Sequence, residues 1–194
     1  MNALTEILMQ QLAGGAVSQI SRKIGADQST TSKALAIAVP LLISALARNS
    51  STPAGANALN QAIANDHDGS ILDDLMGFIS NSEGANGAGI LGHVLGGGRS
   101  EVENGLAQSA GLDAGAAGQL LETVAPLVMG ALGRTQQQQG LDASGLSAYL
   151  GEQHQQVQTS APDVMGMLGG LLDSNKDGSV LDDVSRIAGK LFSR

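Results

Sequence analysis

The chain lacks cysteine and tryptophan entirely, and holds one tyrosine (Tyr149) and two phenylalanines (Phe78, Phe192) in 194 residues. Without cysteine, disulfides, thiolate metal sites and cysteine nucleophiles are excluded. With so few aromatics, a core has to be packed from Ala, Leu, Ile, Val and Met, and strand-favouring side chains are scarce. Charge is sparse too, at 14% of residues, and its balance is acidic, with a net charge of −8. That sign opposes a general nucleic-acid surface, whose affinity comes from basic groups releasing counterions. It suits solubility or cation binding better. Long apolar runs are also missing. The longest covers residues 34–46 and contains Pro40, short of the roughly 20 apolar residues a membrane span needs. It reads as a buried core helix, and no membrane span is expected. Residues 1–15 carry neither a basic start nor a small-residue cleavage site, so they read as a helix beginning at Thr5 rather than a signal peptide, and the cytoplasm is the expected compartment.

What is present is a repeated pattern. Ile24-Gly25-Ala26-Asp27 leads to Val39-Pro40-Leu41-Leu42 and Ala45-Leu46-Ala47-Arg48. Ala110-Gly111-Leu112-Asp113 leads to Ala125-Pro126-Leu127-Val128 and Ala131-Leu132-Gly133-Arg134 at a constant offset of 86. Upstream, Ile7-Leu8, Leu12 and Gly14-Gly15 match Ile90-Leu91, Leu95 and Gly97-Gly98 after a small adjustment. Downstream, Asp68-Gly69-Ser70-Ile71-Leu72-Asp73-Asp74 matches Asp177-Gly178-Ser179-Val180-Leu181-Asp182-Asp183 at an offset of 109. Several matches in one order argue for tandem duplication of a small unit. The boundaries that follow are residues 1–80, a Gly-rich joint at 81–89, and residues 90–194, with the two units packing as one domain because each alone is small.

The units read as all-α. Val17, Ile20 and Ile24 share a helical face. Gly25 is a helix stop, and Asp27 or Ser29 is the next helix's N-cap. Pro40 and Pro126, lacking an N–H, are expected to kink or split the helices that hold them. A further helix is expected over 56–63. The Gln-rich stretches at 136–139 and 153–159 read as solvated loop or linker.

The segment Gly89-Ile90-Leu91-Gly92-His93-Val94-Leu95-Gly96-Gly97, the segment Ala125-Pro126-Leu127-Val128-Met129-Gly130-Ala131-Leu132 and the two Asp-Gly-Ser-Ile/Val-Leu-Asp-Asp loops resemble the bacterial domain-of-unknown-function family 937, of the YidB-like group. The resemblance covers nearly the whole chain. It implies a multihelical fold with repeated, intertwined three-helix motifs. It implies no activity and supplies no catalytic residues.

The acidic loops hold the candidate chemistry. Asp173, Asn175 and Asp177, followed by Gly178 and Ser179, reproduce the first half of an EF-hand-like calcium loop, in which alternate oxygens in a tight turn converge on a hard cation. The closing bidentate Glu is absent; Val184 stands in its place, and Asp182 or Asp183 would have to close a shorter, waterier site. The first loop is poorer, with Asp66, Asp68, Ser70, Asp73 and Asp74 as its candidate ligands, while His67 offers nitrogen where calcium prefers oxygen. A plain alternative is helix capping, since Ser70 and Ser179 each precede an acid three residues on. Calcium is thus the one cofactor suggested.

Other patterns point less far. Arg22, Lys23 and Lys33 fall in a segment spaced like a helix-turn-helix, but the matching stretch 106–121 has no basic residue, so nucleic acid is not an expected partner. Gly87-x-Gly89-x-x-Gly92 follows no strand and is read as chance. His67, His93 and His154 have no zinc-ligand spacing. The expectation is a non-enzymatic helical protein with calcium loops; the alternatives are a metal-free structural or protein-interaction module, including self-association, and a DNA-binding protein.

Overall fold

Among the residues that the computed structural model describes, 3–13, 15–81 and 86–160, every regular element is helical and none is a strand. The order is α1 (Ala3–Ala13), α2 (Ala16–Ile24), α3 (Gln28–Asn49), α4 (Pro53–Asp66), a 3-10 turn at Ser70–Leu72, α5 (Leu75–Ser80), α6 (Gly87–Leu95), a 3-10 turn at Gly96–Gly98, α7 (Arg99–Ala110), α8 (Ala114–Gln139) and α9 (Ala143–Ser160). The all-α expectation holds.

Local chemistry explains most boundaries. Gly25 and Gly111 end α2 and α7 in the left-handed region, at φ 69° and 82°. Each is followed by a residue whose N–H reaches back to the same helical carbonyl, Ala26 to Ser21 at 3.0 Å and Leu112 to Ala107 at 2.9 Å. That pair of bonds satisfies a carbonyl the helix end leaves open. Asp27 then caps α3, accepting from the Ser29 and Thr30 N–H groups at 2.9 Å each. Asp113 caps α8 through the Ala116 N–H at 2.8 Å. The N-cap is therefore Asp27, not Ser29. Thr52 caps α4 with Pro53 in its first turn, and Asp142 caps α9 through Gly145 at 2.8 Å.

The long helices α3 and α8 form the centre. α3 is buried along almost all of residues 34–47, and α8 along residues 120–133 with Glu122 half-buried. On length and composition both could cross a membrane, yet 72% and 83% of their most apolar stretches are buried inside the fold. Each packs on elements from the other half of the chain: α7 and α9 lie on α3, while α1, α2, α4 and the Ser70–Leu72 turn lie on α8. One continuous core results, from Leu4 and Leu8 through Leu35 and Leu121 to Leu146 and Leu150.

Three expectations need correction. Of the two outcomes expected at the prolines, a kink or a split, the split does not occur: α3 and α8 run unbroken through Pro40 and Pro126. Pro40 removes the donor to the carbonyl of Ala36, which lies on an exposed position where water can replace it. Pro126 frees the carbonyl of Glu122, and α6 approaches at that point: a Cβ on Gly87 would lie 1.9 Å from that oxygen. Second, the Gln-rich stretches are helix, not linker. Residues 136–139 finish α8 and residues 153–159 belong to α9. Gln is a good helix former, and two of these side chains work in the packing: Gln153 is buried and accepts from the Leu4 N–H at 3.4 Å, and Gln136 reaches both Asn60 and the Leu141 carbonyl. Third, the Gly-rich joint is shorter than expected, because Gly87, Ala88 and Gly89 already belong to α6.

Candidate functional site: the first acidic loop on α8

The first acidic loop leaves α4 at His67 and folds back onto α8. Its fold follows from close backbone approach. Gly69 has φ 93°, a conformation that favours glycine. A Cβ there would sit 2.9 Å from Arg134 Cβ. On the helix side, a Cβ on Gly133 would lie 1.8 Å from the His67 carbonyl, and one on Gly130 would lie 2.3 Å from Ile71 Cγ2. Two glycines one turn apart thus open a notch in α8, and the loop backbone and Ile71 fill it.

Side chains fasten what the notch admits. Arg134 Nη2 donates to the Gly69 carbonyl at 2.9 Å and to Asp73 Oδ1 at 2.5 Å. Gln137 Nε2 donates to the Asp68 carbonyl at 3.0 Å. Asp68 Oδ1 accepts from the Ser70 N–H at 3.0 Å, closing the turn. Hydrogen bonds from Ser70, side chain first and backbone second, hold the Asp68 carboxyl below the ordinary carboxylate range. Asp74 caps α5 through the Gly77 N–H at 2.9 Å. The capping alternative is therefore right in kind and wrong in its residues: Asp68 and Asp74 close the turns, not Ser70 and Asp73. Asp66 is exposed at the end of α4. His67 is half-buried, and burial lowers its pKa against the opposing pull of Asp66.

The arrangement brings Asp68, Ser70, Asp73 and Asp74 into one short loop, but it aims their oxygens at different partners. Among the described residues, no group of three or more His, Asp or Glu side chains is placed to hold a metal ion. The second loop, with Asp173, Asn175, Asp177, Ser179, Asp182 and Asp183, lies outside the described residues.

Sequence reasoning passed over Arg134, Gln137, Gly130 and Gly133 as site residues. A signal existed. The repeat match ends on Arg48 and Arg134, and Gly130 and Gly133 are small residues at one-turn spacing in an otherwise apolar helix.

A family model described as a bacterial protein of unknown function, DUF937, matches residues 6–135. The chain belongs to this family. The DUF937 span takes in both capped turns, the first acidic loop and Arg134, so the loop's anchor lies within the family's own extent. No curated protein and no solved structure matches the chain.

Elsewhere, polar groups bind helices to one another. Arg99 pairs with Glu103 at 2.6 Å and Glu122 at 2.5 Å, joining α7 to α8, and these partners raise its pKa. The three basic residues of the helix-turn-helix-like segment are exposed, and two have protein partners: Lys23 Nζ meets the Ile79 carbonyl at 3.5 Å and Arg22 meets Ser18 Oγ at 3.2 Å. Two cavities flank the 2.6 Å hydrogen bond from Asn49 Nδ2 to the Val94 carbonyl. One, of about 420 Å3, opens between α3, α4 and α6 beside His67. The other, of about 730 Å3, is bounded by the end of α3, by α6 and by α9.

Proposed function

We propose that this chain is a non-catalytic helical packing module whose first acidic loop is held by a guanidinium rather than by a metal ion. One observation carries the reading. Arg134 Nη2 sits between a backbone carbonyl and a carboxylate of the same loop, the kind of oxygen pair a calcium ion would gather. An arginine there supplies the positive charge and spends directed N–H donors on those oxygens. With Asp68 and Asp74 turned to backbone N–H groups, a cation at this loop would have to displace existing bonds.

On this reading the module's work is to present a helical surface to protein partners, with no reaction of its own. DNA binding draws less support, because the chain is acidic and Arg22 and Lys23 have partners within the fold.

Arg134→Met keeps the apolar stem and removes the charged head. It should lower stability by about 1 kcal/mol, since the pair is partly solvated. Asp73→Ala on the Arg134→Met background should cost little more. Calcium titrated into chelator-treated protein should give neither heat nor a melting shift through this loop. A calcium response abolished by Asp68→Ala with Asp73→Ala would overturn the reading. A response abolished instead by Asp173→Ala with Asp177→Ala would assign the cation to the second loop and leave the first as described.

A further inference from the structure

We propose that the larger cavity, at the end of α3, binds a small organic anion, with Arg48 taking its carboxylate or phosphate group and Val94, Leu95 and Val102 taking its apolar body. The inference goes beyond the packing role and is independent of what holds the first acidic loop.

Three observations lead there. The first is an unspent cation. Among the described residues, the guanidinium groups of Arg22, Arg99 and Arg134 all have hydrogen-bond partners within the fold. Arg48, exposed in the last turn of α3, has neither a hydrogen bond nor an ion pair on its head group among them. Its match in α8 shows what an arginine on this flank takes: Arg134 holds the Asp73 carboxylate and the Gly69 carbonyl. A guanidinium fork suits carboxylate and phosphate alike, since both present paired oxygens.

The second is the charge of the walls. The chain has 18 acidic residues and a net charge of −8, yet among the described residues no Asp or Glu lines this cavity. His93 on α6 and His154 on α9 do line it. His154 Nε2 meets the Gln158 amide at 3.0 Å, and burial, followed by the Arg48 charge, lowers the ring's pKa. The positive field of Arg48 thus reaches across to α9 with no acid on the described walls to cancel it. The helix dipole accounts for a cation in the last turn of α3, but not for the missing acids.

The third is size and lining. At about 730 Å3 the space falls within the roughly 300–1,000 Å3 of small-molecule sites. Val102 is buried and Val94 and Leu95 are partly buried, giving one apolar wall. A bare inorganic anion would leave that wall and most of the space unused, so the fitting ligand carries both a charged group and an apolar body.

The test titrates phenyl phosphate and benzoate into the full chain, with inorganic phosphate and benzyl alcohol as controls, and follows amide and histidine ring signals by NMR. The aromatic anions should shift the amides of Leu95, Val102 and Gly151 and the rings of His93 and His154 at millimolar concentration, and the tighter of the two names the charged group. Arg48→Gln should weaken that binding by about tenfold or more, and Arg48→Lys by less. Gly151→Leu, where an added Cβ meets nothing within 4 Å, should fill the cavity and weaken binding as well. Thermal melts of the variants should match the parent, since Arg48 is exposed and Gly151 has room. Absence of shifts at these residues, or shifts that survive Arg48→Gln or Gly151→Leu, overturn the proposal. So does either control binding as tightly as the aromatic anions.

Discussion

At Gly25 the chain leaves α2 with φ 69°, and at Gly111 it leaves α7 with φ 82°; two residues on, Asp27 and Asp113 hold ψ at 161° in both cases. The backbone device is the same, yet the surroundings differ. The first turn is finished by hydroxyls, with Thr30 Oγ1 donating to Asp27 at 2.6 Å. Behind the second, the Arg99–Glu103–Glu122 cluster joins α7 to α8. The far ends diverge further. α8 carries Gly130 and Gly133 and receives a loop, while α3 carries Ser44 and Ala47 and borders a cavity. Helix caps are thus set by a few adjacent residues, whereas what a helix receives on its flank is set by whether two side chains are missing from it.

The comparison can be broken or sharpened in four ways. The largest effect belongs to the shared core. Leu35 and Leu121 occupy matched positions and are fully buried, so truncating either to Ala should cost about 2–5 kcal/mol. Denaturant melts giving similar losses would show that the two centres bear equal weight; a loss confined to one would break the comparison.

Next comes the notch. Gly133→Ala puts a methyl onto the His67 carbonyl and should cost about 1–3 kcal/mol as an overpacked contact. The matched exchange, Ala47→Gly, should cost about 1 kcal/mol or less, through helix propensity alone. Equal effects in thermal melts would deny that the notch is specific to α8.

Smaller still is the cap of α8. Asp113→Ala should lower stability by about 1 kcal/mol, while Asp113→Asn keeps most of it. Hydrogen exchange at Ala116 should quicken in the Ala variant before exchange elsewhere does.

The smallest effect is a pH dependence at the other cap. Hydrogen bonds from Thr30, then Ser29, lower the Asp27 pKa from 3.8 to about 2. A depressed carboxyl stabilises the fold above its unfolded pKa and loses that contribution as pH falls through its folded one. The window therefore runs from about pH 4 down to about pH 2. Carbon NMR of the Asp27 carboxyl should titrate near the lower value; a midpoint at the ordinary one would remove the effect.

How much of this was legible beforehand depends on the range of the interaction. Gly25, Asp27, Gly111 and Asp113 could be read because a helix stop and an N-cap act within a few residues. The apolar faces of α3 and α8 were legible for the same reason. Arg134 was not, since its partner carbonyl is 65 positions away in sequence. The acidic loop invited a metal reading because letters record which oxygens are present and not where each one points. The Gln-rich stretches misled for a related reason: a polar composition says nothing of Gln153 being buried against the N-terminus of α1.

Arg134 also has a thermodynamic consequence. A positive charge anchored through covalent bonds to α8 arrives with the polypeptide at a fixed stoichiometry. Chelators cannot strip it, and its occupancy does not follow the ion content of the surroundings. Concentrated salt can weaken its grip on Asp73, but the Gly69 carbonyl bond and the filled notch would remain, so the loop should stay in place through swings in divalent ions that would empty a true calcium site.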